Sequence, residues 1–180
     1  GASMKNDRRL LVIFGAVFVV LVALVLLQSQ PTEEPSPYAD NRVFRGFTNT
    51  DIQAVRLNSP GEGLTFVLNR AVDGTWTAPE ASGTLNTPVA DLIARTMILL
   101  PYTSTLQPES DLSVYGFVPI AGLTVEFVLT DGTTHGIVVG FRNPTETGYY
   151  AAVDDRVEIY ILERAAVDFL ISVLRNPPVA

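Results

Sequence analysis

Eighteen consecutive apolar residues, Leu10 to Leu27, come directly after a short basic N-terminus. At about 1.5 Å of rise per residue, such a run makes a helix of roughly 27 Å, close to the hydrocarbon thickness of a bilayer. No charge interrupts the run, and one at that depth would cost roughly 3 kcal/mol or more. The sequence therefore predicts a single transmembrane helix over residues 10–27, and any globular core has to come from the residues after Leu27. Lys5, Arg8 and Arg9 precede the run, whereas Glu33, Glu34 and Asp40 lie beyond it with no Lys or Arg before Arg42. The positive-inside rule then puts residues 1–9 in the cytoplasm and the rest outside. Gly1-Ala2-Ser3 ahead of Met4 reads as a tag remnant.

A cleaved signal peptide is the rival reading. Its apolar core is usually about 7–15 residues long and ends in a small-x-small cleavage site. Here the run is longer and ends Leu26-Leu27-Gln28-Ser29, so an uncleaved anchor is the expectation. The chain has no cysteine, which excludes a lipoprotein anchor, disulfides and thiolate metal sites. Gly15, Ala16 and Ala23 form a small-residue notch on the span. It reads either as ordinary span composition or as a face that packs against another membrane helix.

Residues 28–42 read as a tether, with Pro31, Pro35 and Pro37 among Ser, Thr and Glu. Such a composition buries too little apolar area to fold and favours extended conformations. Residues 31–180 carry nine basic and eighteen acidic side chains. That balance argues against nucleic acid as a partner.

From Val43 the pattern becomes that of one folded domain, residues 43–176, with 177–180 as a tail. Ile52, Val55 and Leu57 suggest a first strand. Leu64, Phe66 and Leu68 alternate with Thr65, Val67 and Asn69 as a second, and Trp76 sits on a short third strand after the Asp73-Gly74 turn. Thr87-Pro88 opens a helix over about 88–100, with Thr87 as its expected cap. Residues 103–122 read as turns. Leu123, Val125, Phe127 and Leu129 then alternate into a hairpin around Asp131-Gly132, and a second hairpin turns at Asp154-Asp155. A helix over 164–175, with Val167, Leu170, Ile171 and Leu174 on one face, closes the domain. The expected fold class is α+β: an N-terminal transmembrane helix, then antiparallel strands in two groups, each followed by a packed helix.

The ordered set of motifs resembles the bacterial domain-of-unknown-function family numbered 4340. It runs from Asp51-Ile52 through Gly74-Thr75-Trp76, Thr87-Pro88 and Leu112-Ser113-Val114-Tyr115-Gly116-Phe117 with Pro119, then the Asp131-Gly132 turn, Val138-Val139-Gly140, Tyr149-Tyr150 and Val157-Glu158-Ile159-Tyr160. The resemblance covers about residues 44–175, with the proline after Tyr115-Gly116-Phe117 one place early. It implies an α+β domain, often membrane-anchored. Some members are linked to auxiliary components of ABC-type transport or gliding-motility systems. The family supplies no catalytic residues.

The residues themselves point away from catalysis. His135 is the only histidine and is expected on the surface near a hairpin tip. Without a second histidine or a cysteine, a zinc site would need carboxylates at spacings that are missing. Asp154-Asp155 with Glu146 and Glu158 reads as a solvated acidic turn rather than a cation site. No cofactor and no metal is expected. Tyr149 and Tyr150, adjacent on a strand, should point to opposite faces with one of them exposed. They form a candidate interaction surface, as do Phe44 and Phe47 just after the tether; for both pairs the competing reading is core packing. The leading expectation is a non-enzymatic membrane-anchored accessory subunit whose partners are the bilayer and other membrane or envelope proteins. The alternative is an extracytoplasmic module binding a glycan, lipid or small solute.

Overall fold

A computed structural model describes residues 41–180. The span 10–27, its notch residues Gly15, Ala16 and Ala23, and most of the tether lie outside the described residues. Among the described residues no helix is long and apolar enough to cross a membrane.

The chain forms an α+β fold in the order β1 (Ile52–Ser59), β2 (Leu64–Arg70), β3 (Trp76–Thr77), α1 (Thr87–Leu99), β4 (Tyr102–Leu106), β5 (Leu123–Leu129), β6 (Thr134–Arg142), β7 (Gly148–Val153), β8 (Ile159–Glu163) and α2 (Arg164–Arg175). The two expected strand groups are one eight-stranded sheet, ordered β3-β2-β1-β5-β6-β7-β8-β4, antiparallel throughout. They join where β1 pairs β5, with Val55 opposite Phe127 and Leu57 opposite Val125. Side chains alternate across a strand, so this register puts the apolar sets of both groups on one face. Both helices pack there: Ile93 and Met97 of α1 and Val167 and Leu170 of α2 share one buried core with Leu57, Leu68 and Phe127.

α1 is capped by Asn86, not by Thr87. The Asn86 side-chain oxygen accepts from the Val89 amide at 3.3 Å, and Thr87 and Pro88 fill the first helical positions. Trp76 is buried as expected, and its indole N–H donates to Asp91 on α1 at 2.7 Å. That bond satisfies a polar group that burial would otherwise leave unpaired.

Residues 103–106, at the start of the stretch read as turns, belong to strand β4, which pairs with β8. Tyr102-Thr103-Ser104-Thr105-Leu106 has β-branched residues but no apolar alternation, because an edge strand has little to bury. Both sheet edges are blunted: β3 has two residues, and β4 carries a register shift between Tyr102 and Ser104. The chain termini of the domain are fastened too. Tyr102 N–H donates to Asn41 O at 3.0 Å and Val43 N–H to Leu100 O at 2.9 Å, while Val179 bridges Leu85. Residues 41 and 42, at the end of the segment read as tether, therefore bond to the start of β4, and part of the segment read as a tail pairs with the loop before α1.

Candidate functional site

With both helices on one face, the other face of the sheet is left for something else. Its central part is bare. The cross-strand registers place Thr65, Asn58, Thr124, Val138 and Ala152 in one row across five strands. A second row runs Arg56, Glu126 and Gly136. Asp154 continues it, since its amide donates to Gly136 O at 2.8 Å and its carboxylate accepts from Gly136 N–H at 2.8 Å. Gly136, which has no side chain, and the short side chains of Val138 and Ala152 leave a depression of about 540 Å³, open to solvent and also lined by Asp155. Its polar wall is tied together: Thr65 Oγ1 donates to Asn58 Oδ1 at 3.1 Å, and Asn58 Nδ2 to Thr124 Oγ1 at 3.4 Å.

On the β6 and β7 side this face is covered by the chain between β4 and β5. Gly140 lies two residues beyond Val138 on the same side of β6, and a Cβ there would collide with the Tyr115 carbonyl. Only a glycine lets the linker backbone settle on the strand. Gly116, at φ 78°, caps the 3-10 turn Leu112–Tyr115, and a Cβ on it would come within 2.6 Å of the Phe141 ring. Beneath the linker, Tyr115, Ile159 and Ile161 are buried. On its outside, Leu112, Val114, Val118 and Ile120, with neighbouring Phe141, are 43–60% exposed. They are five of the nine large apolar side chains exposed among the described residues, which concentrates apolar surface beside the trough.

The candidate surface residues distribute differently. Phe44 is buried, and Phe47 packs against the core. Both rings contact Phe127, with centroids at 5.0 and 5.7 Å. They are core rather than contact surface, because β5 and β6 present an aromatic pocket to the arm that precedes β1. His135 completes that pocket: its ring lies 4.8 Å from Phe44 and stacks on Phe47 at 5.7 Å. Its Nδ1 is 2.9 Å from Asp154 Oδ2. It is half-buried packing, not the exposed tip residue expected. Arg156 closes the arm from the other side, donating to Val43 O at 2.9 Å and to Tyr160 Oη at 2.9 Å.

Tyr149 and Tyr150 do point to opposite faces. Tyr149 is buried on the helix side, and Tyr150 is half-buried against Tyr115, with centroids 5.2 Å apart. Neither is a free aromatic platform. The Tyr149 hydroxyl donates to Asp168 at 2.6 Å and accepts from Arg142 Nε at 2.8 Å, and Arg164 Nε donates to Asp168 at 3.1 Å. Burial raises the Tyr149 pKa, and the hydrogen bond to Asp168 adds to the effect. Burial pushes Asp168 up, but hydrogen bonds from Tyr149 and Arg164 and the charges of Arg142 and Arg164 outweigh it, so its carboxyl sits below the ordinary range. This cluster pins α2 to β6 and β7.

Asp154 and Asp155 sit at the β7–β8 turn as expected. Among the described residues no three His, Cys, Asp or Glu side chains are grouped to hold a metal ion. The trough residues escaped the sequence reading as a set. Thr124 and Glu126 are visible there as the polar half of an alternation, but nothing in the chain says which strands lie beside β5.

No family model, no curated protein and no solved structure matches this chain.

Proposed function

We propose that this chain is a non-enzymatic accessory subunit held in a bacterial cytoplasmic membrane by residues 10–27, N-terminus inside, whose outer domain binds another membrane or envelope protein. The bare part of the sheet, bordered by the apolar outside of the 112–120 linker, is the docking face. The carrying observation is the asymmetry of the sheet. Antiparallel sheets commonly leave one face to water, but this one is bordered by a linker that leaves Leu112, Val114, Val118 and Ile120 exposed, along with neighbouring Phe141. Concentrated apolar surface next to a polar depression is the pattern of a protein-binding face. The eighteen-residue apolar run supports the anchor, and the resemblance to family 4340 supports an auxiliary role.

Recognition of a glycan or small solute is the second reading, favoured by the trough itself. The openness of the depression and the lack of an aromatic side chain among its described lining residues favour a protein partner, because small ligands are normally enclosed over most of their surface. A photo-crosslinking residue at Val138, on the bare face, and one at Arg95, exposed on α1, separate the outcomes in native membranes. The reading expects adducts with a membrane or envelope protein from position 138 and none from 95. Adducts from neither, or equally from both, sink it.

A further inference from the structure

The trough has a length, a direction and a charge, and together they describe an occupant. It crosses β2, β1, β5, β6 and β7. Four interstrand spacings of about 4.8 Å make roughly 19 Å, which about six extended residues would span. One long side is neutral and hydrogen-bonding, with Thr65, Asn58 and Thr124; the other carries Arg56, Glu126, Asp154 and Asp155, three carboxylates to one cation. Arg56 is the only cation among the described lining residues; it stands opposite Glu126 in the register and reaches Glu80 at 4.0 Å. Asp154 is engaged by His135 and the Gly136 amide. Neither Glu126 nor Asp155 is a member of the ion pairs found among the described residues. The floor of Gly136, Val138 and Ala152 is low enough for a backbone to lie across it.

We propose that the trough takes a basic, extended segment of about six residues from the partner protein, with its Lys or Arg side chains toward the Glu126–Asp155 side and its backbone along the Asn58–Thr124 wall. The proposal rests on the docking reading above and adds the partner's chemistry. The domain's acidic excess would steer such a segment toward it.

The test uses the full chain in lipid nanodiscs and fluorescein-labelled hexapeptides of alternating Gly and Lys, Gly and Glu, or Gly and Ser, read by anisotropy. The Lys peptide should bind, weaken with salt, and lose about fivefold or more in affinity in the Glu126→Gln/Asp155→Asn variant. The Glu and Ser peptides should not bind. Glu109→Gln/Glu146→Gln, which removes the same charge outside the trough, should leave affinity within about twofold. Equal losses in both variants, or no preference for Lys over Ser, overturn the proposal. Crosslinks from Val138 separate the two claims. If they persist in Glu126→Gln/Asp155→Asn, the docking face stands and its charge selectivity falls; if wild type gives none, the docking face itself falls.

Discussion

The two faces of this sheet are made by the same strands and obey opposite rules. On the helix side, Leu57, Leu68 and Phe127 are completely buried under α1 and α2. On the other side, their immediate neighbours Arg56, Asn58 and Glu126 line an open trough. One residue of register separates the two sets, so a slip of one place would exchange them. The first face holds the fold; the second is free to change without endangering it. That division leaves a domain of this size a broad uncovered surface beside its core.

The comparison breaks most visibly on the helix side. Phe127→Ala removes a ring that touches Phe44, Phe47 and His135 at once and should destabilise the domain by about 3–5 kcal/mol, as measured by denaturant unfolding of the purified protein. A loss under about 1 kcal/mol would mean that the arm and hairpin do not share this core. At the boundary between covered and bare regions, Gly140→Val drives a side chain into the Tyr115 backbone. The expected cost is about 1–3 kcal/mol, together with a change in tyrosine fluorescence as the linker lifts; an unchanged spectrum would contradict the linker's seat on β6. Within the helix side, Asp91→Ala strips the Trp76 indole of its acceptor and should cost about 1–3 kcal/mol with altered tryptophan emission.

Asp168 gives a smaller and pH-dependent effect. Its carboxyl is held below the ordinary range in the folded state, so its stabilisation is present above the unfolded value of about 4 and fades as pH falls through the folded value. Unfolding midpoints of wild type and Asp168→Asn should therefore converge in acid and separate near neutrality. A constant gap across that window would show that the carboxylate charge is not what ties α2 to Arg142 and Arg164. The smallest effect belongs to the bare face: Glu126→Gln should leave stability within about 0.5 kcal/mol by the same unfolding measurement, since this carboxylate is not a member of the ion pairs found among the described residues.

Much of the helix side is legible in the chain, and the reason is burial. Leu123, Val125, Phe127 and Leu129 alternate because one face of β5 is covered, and Val167, Leu170 and Leu174 recur at helical spacing because α2 has one face to bury. β4 lacks that pressure and shows no period. The merging of two strand groups into one sheet depends on β1 meeting β5, a choice between edges that local pattern does not encode. Phe44 and Phe47 stand just after a proline-rich stretch, where an aromatic reads equally as surface or as arm; only the pocket made by Phe127 and His135 decides it. The trough is least legible of all. Gly136, Val138 and Ala152 are unremarkable on their own strands and become a floor only when the strands that carry them lie side by side.

The division of labour between the faces is tested most directly by Ala152→Arg, which fills the trough floor, compared with wild type in gentle purification from native membranes. The account predicts that the variant keeps the wild-type unfolding midpoint and loses the subunits that co-purify with wild type. Full retention of those subunits by a folded Ala152→Arg protein would contradict it.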